Sequence, residues 1–110
     1  MKPTTVKEMF ASLPARLDKQ AAAEVDAVYQ FVLTGTQSGQ YQMLVQKGNC
    51  AVKEGGHAAP HVTLAMDGDD CVKIFNGQLS GMALAMSGRL QISGDIGLAM
   101  QLKSLFPGMD

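Results

Sequence analysis

Tryptophan is absent from this 110-residue chain, and charge is scarce: nine Lys and Arg face ten Asp and Glu, together 17% of the residues. Without a basic surplus or an aromatic stacking platform, the composition argues against a nucleic-acid binder. Cysteine is nearly absent as well. Cys50 and Cys71 form no CxxC pattern and are too few for a disulfide framework, so they are read as free, partly buried thiols in a reducing compartment. Long apolar runs are missing: the longest is Met82 to Met86, against about 20 residues for a membrane-spanning helix. Residues 1–5 carry no apolar signal core, and Gly108-Met109-Asp110 is no Ser-Lys-Leu address, which together lead to an expectation of a cytoplasmic protein.

What is present is apolar. At 46% hydrophobic residues the chain is not disordered. One domain over 1–110 fits the length, with roughly 65% of the unfolded surface buried on folding. A usual soluble domain carries about 25% charged residues, so the excess apolar surface is expected to line a ligand cavity or an oligomer interface. The 12 glycines are aperiodic and mark turns rather than a collagen or linker composition.

Periodicity assigns the elements. Thr5 and Glu8 form a capping box ahead of Val6, Met9, Phe10, Leu13 and Leu17 at helical spacing; Pro14 predicts a kink or two short helices, ending through Ala21–Glu24. From Val25 the period is two, with Ala27, Tyr29, Phe31 and Leu33 on one face. The turns at 35–39 and 47–49 join this strand to one around Tyr41–Lys47 and another around Cys50–Lys53. Loops that short require antiparallel neighbours. A fourth strand is predicted over His61–Met66. Asp67-Gly68-Asp69-Asp70 caps a short helix through Phe75, a second helix runs over Ser80–Ser87, and a fifth strand over Gly88–Gly94. Asp95 caps a last helix through Phe106 that is apolar nearly all round, and such a helix should be covered on more than one side. The fold class is α+β.

This order of elements resembles the sterol carrier protein type 2 family from about Val6 to Phe106. Its most specific stretch runs from Asn76-Gly77-Gln78-Leu79 through Ala83 and Met86 to Gly88-Arg89-Leu90-Gln91-Ile92-Ser93-Gly94-Asp95, with Pro60-x-Val62-Thr63-Leu64 as a second signature. The resemblance implies a five-stranded, mostly antiparallel sheet with helices packed on one face and an apolar tunnel between them. It implies non-catalytic binding, and intracellular transfer, of fatty acyl chains, acyl-CoA or sterol- and isoprenoid-like lipids, with no cofactor. The chain departs from the family pattern in two ways: lysines are replaced by Arg89, Gln91 and Ser93, and a proline by Gly81. Attraction to anionic membranes or CoA phosphates is therefore not carried over. Transient membrane contact, a homodimer or a partner enzyme remain open as partners. The alternative function is an accessory or scaffold protein that presents a lipid intermediate to such an enzyme.

The residues expected to face inward and bind lipid are Phe75, Leu79, Met82, Met86, Ile92, Leu98, Leu102, Leu105 and Phe106, with Phe31 and Met66 as weaker candidates; the rival account is ordinary core. The eight methionines suit a space that is filled or vacated as needed. Other chemistry reads poorly. His57-x-x-x-His61 brackets Pro60 and leads from a loop into a strand, so no metal is assigned. Asp67-Gly68-Asp69-Asp70 starts like a calcium loop, but its twelfth position is Gln78. Gly94 and Gly97 fail the GxGxxG phosphate pattern. No nucleophile with an orienting partner is evident, and no enzyme is expected.

Overall fold

The computed structural model describes residues 3–109; Met1, Lys2 and Asp110, on which parts of the domain span and the leader and tail readings fall, lie outside them. Helix α1 (Val6–Arg16) is followed by β1 (Asp26–Thr34), β2 (Gly39–Gln46), β3 (Asn49–Glu54) and β4 (Val62–Asp67). Then come α2 (Gly68–Phe75), α3 (Gly81–Met86), β5 (Gln91–Gly94) and α4 (Ile96–Leu105). The sheet order is β3-β2-β1-β4-β5, antiparallel throughout except for the central parallel pair β1–β4.

The period-two pattern works as expected. Ala27, Tyr29, Phe31 and Leu33 are buried on one face, in line with Tyr41, Met43 and Val45 of β2 and Val62, Leu64 and Met66 of β4. The β2–β3 turn is a two-residue hairpin in which Lys47 and Gly48 both take positive φ, 51° and 79°. That geometry matches the twist of the flanking strands, and a glycine second makes it cheap. The helices gather on the same face. Phe10 of α1 stacks on Tyr41 at 4.4 Å between ring centroids, and Phe75 of α2 meets Phe31 edge-on at 6.0 Å. The link from β3 to β4 crosses the other face instead. There the buried Gln30 amide donates to the Gly55 carbonyl and accepts from the His57 N–H at 2.6 Å.

Several expectations need correction. Helix α1 is continuous through Pro14, because a proline so near the helix end removes a single late hydrogen bond. It stops at Arg16, with Leu17 already extended, and does not reach Glu24. Asp18 instead accepts from the N–H groups of Gln20 and Ala21 and turns the chain. β5 is four residues rather than seven, since the N–H groups of Arg89 and Leu90 both return to the Leu84 carbonyl. Among the described residues, helix α4 is not covered on more than one side: Leu102 and Leu105 are buried while Ile96 and Met100 are exposed.

The two ends of the described chain meet at one corner. Asn76 Nδ2 donates to the Pro3 carbonyl at 2.8 Å. A Cβ at the neighbouring Gly77 would stand 2.5 Å from the Gly108 carbonyl oxygen.

Candidate functional site

The apolar elements of the second half lie over the β1–β4–β5 side of the helical face. Gly81 at the start of α3 sits against Ile74 of α2, where a Cβ would lie 3.8 Å from the Ile74 methyl. Ile92 pairs with Leu64 across β4 and β5. Helix α4 is tied down by the Tyr29 hydroxyl, which donates to the Leu98 carbonyl at 2.9 Å. Burial, and secondarily the Asp95 carboxylate, push that hydroxyl up to about 12, so it keeps its proton and the bond.

The expected lipid-contacting residues fall into three depths. Phe75, Leu102, Leu105 and Phe106 are buried, as are the weaker candidates Phe31 and Met66. Leu79, Ile92 and Leu98 are half-buried and packed against that core. Met82 and Met86 do not face inward: they are 64% and 84% exposed. The reason is helical geometry. Leu84 is the residue of α3 that enters the core, and at about 100° per residue the positions two before and two after it point away. Ile96 and Met100, which the sequence reading did not single out, are 58% and 64% exposed. Their i, i+4 spacing on a helix with a single polar stripe was the available signal.

Aromatic rings pack along the helical face of the sheet. Phe10, Phe31, Phe75 and Phe106 form a row of edge-on pairs with centroids 5.2, 6.0 and 5.7 Å apart. This suits the energetics, because an empty rigid space of about 300 Å³ would cost about 7 kcal/mol out of a total stability of ~5–15.

Two open clefts flank α2. The larger, about 630 Å³, is lined by Thr34, Asp67, Asp69, Asp70, Lys73 and Arg89 among others. Arg89 crosses it to hold both carboxylate oxygens of the buried Asp70, at 2.8 and 2.9 Å. This pair was not read from the sequence, where Asp70 appeared only as helix-terminal charge. The smaller, about 290 Å³, lies between Pro3, Thr4 and the outer side of α2. The titratable candidates have structural duties. His57 and His61 each accept a backbone N–H through Nδ1, from Ala59 and Val28 respectively, at 2.9 Å. Cys50 and Cys71 are unpaired as disulfides, and burial raises both thiols. Among the described residues no group of three or more His, Cys, Asp or Glu could hold a metal ion, and no helix is long and apolar enough to cross a membrane.

Comparison with known proteins agrees with this geometry. The model of the SCP-2 sterol transfer family matches residues 6–107. Hydroxysteroid dehydrogenase-like protein 2 of Xenopus tropicalis is 31% identical over 106 residues, 96% of this chain and 25% of that protein. The chain thus spans about a quarter of the curated relatives it matches. Among solved structures, sterol carrier protein-2 of Aedes aegypti in complex with palmitate is similar with a TM-score of 0.73 at 21% identity, covering 100% of both chains. The sec-alkylsulfatase Pisa1 of Pseudomonas sp. has a TM-score of 0.81 at 18% identity, covering 92% of this chain and 16% of that one. At these identities the structural matches establish the shared α+β fold.

Proposed function

The chain belongs to the SCP-2 sterol transfer family, and from that premise we propose that it is a non-catalytic lipid-binding domain. It takes up the apolar body of a fatty acyl, acyl-CoA or sterol- or isoprenoid-like lipid between α3, α4 and the helical face of the sheet. The observation that supports this most is the gradient of burial within residues 75–106. A dry floor (Phe75, Leu102, Leu105, Phe106) passes through half-buried Leu79, Ile92 and Leu98 to exposed Met82 and Met86. Phe31 and Met66 lie deeper in the floor. Ordinary cores end in polar residues; this one ends in flexible apolar ones, which can part and close over a guest.

The same features set the affinity. Burying ~14 methylenes contributes roughly 11 kcal/mol gross, and association takes back ~4–15. Micromolar, unselective binding follows. The palmitate held by the Aedes aegypti relative is of this ligand class. Replacing Leu98 by Trp fills the half-buried layer without opening the core. The variant is expected to melt cooperatively but to bind long-chain fatty acid at least tenfold more weakly by fluorescence titration; unchanged affinity would remove the site from this place.

A second reading, an accessory domain presenting its lipid to an enzyme, draws on one fact: the similar unit is a quarter of the dehydrogenase-like relative and 16% of the sulfatase. Native mass spectrometry of the purified protein separates the two. A spread of acyl lipids supports the unselective carrier, and a single defined species or a co-purifying enzyme supports the accessory.

A further inference from the structure

Three of the four α-helices are tied to the rest of the chain by a polar bond at each end. In α1 the first N–H, of Val6, donates to Gln37 Oε1 at 2.7 Å, and Arg16 in the last turn donates to the Phe75 carbonyl. Helix α2 accepts Gln37 Nε2 on Asp69 at 2.6 Å and that same Arg16 at its end. Helix α4 is held where the Asp95 N–H donates to the His61 carbonyl at 2.9 Å and where the Leu105 carbonyl accepts the Asp18 N–H at 2.7 Å. Helix α3 has neither tie. Leu79 is still fastened, its N–H on the Lys73 carbonyl, and Gln91 already belongs to the sheet. Among the described residues, every backbone hydrogen bond of residues 80–90 closes within that stretch, and one polar tie leaves it, from Arg89 to Asp70.

The remaining hold is apolar and small. Leu84 is the buried residue of α3, with Ala85 half-buried against the core and Leu90 buried beyond the helix. At Gly88 the chain takes a φ of 82°, and a Cβ there would meet no atom within 4 Å, so the backbone has room to turn. The stretch is bounded by Leu79 and Ile92, two residues of the half-buried layer. Lifting it breaks no backbone bond of the sheet or of another helix. Methylenes of a guest that take the place of Leu84 restore the apolar contact it gives up. The Asp70 carboxylate is not left dry either, since the larger cleft is lined by Asp70 and Lys73 as well as Arg89. Segments with so few fastenings are the ones that open locally.

We propose that residues 80–90, carrying α3, are a lid over the lipid site and that the Arg89–Asp70 pair is its latch. The inference rests on the lipid-binding reading and adds the route of entry to it. The pair fastens the lid whether or not a guest is inside, so it slows entry and exit alike and leaves affinity almost untouched. Gating of this kind sets rates, not equilibria. The Arg89 side chain is 57% exposed, so salt screens the pair and loosens the latch.

The test is stopped-flow uptake and release of a fluorescent fatty acid methyl ester at low and high salt. The ester is uncharged, so salt acts on the protein and not on attraction of the probe. The wild-type chain is compared with an Asp70→Asn variant and an Arg89→Gln, Asp70→Asn double variant. Neither leaves a buried charge unpaired, and a thermal melt checks each fold. A Lys53→Gln variant, at an exposed position on β3, controls for altered charge. Association and dissociation rates should rise together, about fivefold in the double variant and less in Asp70→Asn, with the dissociation constant within about twofold of the wild type. Salt should speed the wild type more than the double variant, and the control should match the wild type. Asp70→Asn and the wild-type salt dependence carry the test without the double variant. Rates unchanged in the variants, affinity lost with the entry rate unchanged, or salt acting alike on wild type and double variant would each overturn the lid alone. A wild type that binds no ester at equilibrium would overturn the lipid-binding reading and the lid with it.

Discussion

Single side chains carry two measurable burdens here. Burial raises the thiols of Cys50, to about 11, and Cys71, and the Tyr29 hydroxyl to about 12. A group whose folded pKa is raised contributes stability that is fully present below its unfolded pKa and lost as pH climbs towards the folded value. The melting temperature should therefore hold to about pH 8.5 and fall steadily towards pH 11. A Cys71→Ala variant should lose less over that interval; an equal loss by calorimetry would refute the assignment. Asp70 carries the other burden. Its carboxylate is buried and balanced by Arg89, whose side chain is 57% exposed. Screening reduces the worth of the attraction, but removing Arg89 strands a buried charge. Arg89→Ala should cost about 1–2 kcal/mol in urea unfolding, with much of it recovered in an Asp70→Asn background. The sequence displayed both residues, yet their pairing across 19 positions depends on how α3 and β5 are routed, which periodicity does not encode.

At the scale of elements, caps and alternation were legible because they are local. Thr5 accepts the Glu8 N–H and donates to the Glu8 carboxylate, Asp67 and Asp95 cap their helices, and Ser80 accepts from Ala83. Thr5→Ala should cost about 1 kcal/mol. Pro14 is exposed and inside α1, where it denies the Phe10 carbonyl its helical donor. Pro14→Ala should raise stability by about 1–3 kcal/mol in denaturant titration; a loss would mean that the ring stabilises the end of the helix more than the missing bond weakens it. Tertiary outcomes were less legible. The short β5 arises from a turn that returns to Leu84, and the outward methionines follow from which single residue of a six-residue helix enters the core.

For the whole molecule, the five strands, the helices and their order could be read because each loop is short or strongly marked. The parallel β1–β4 pair could not be read from local pattern, since the loop from β3 could have led to either edge. Lipid binding has a global signature as well. A ligand at ten times its Kd adds about 1.4 kcal/mol and should raise the melting temperature of a domain this size by about 5–10 °C; no shift with long-chain lipids would speak for a closed core. The corner where Pro3 and Gly108 meet the end of α2 has a different consequence. The backbone is nearly a closed circuit, and where it is cut is of little concern to the fold. Joined from Met109 to Pro3 by a few glycines and serines and reopened between the exposed Ala58 and Ala59, the permuted chain should refold and melt cooperatively. A unit whose ends share one corner can be spliced into a longer polypeptide through a single narrow attachment, leaving its sheet undisturbed.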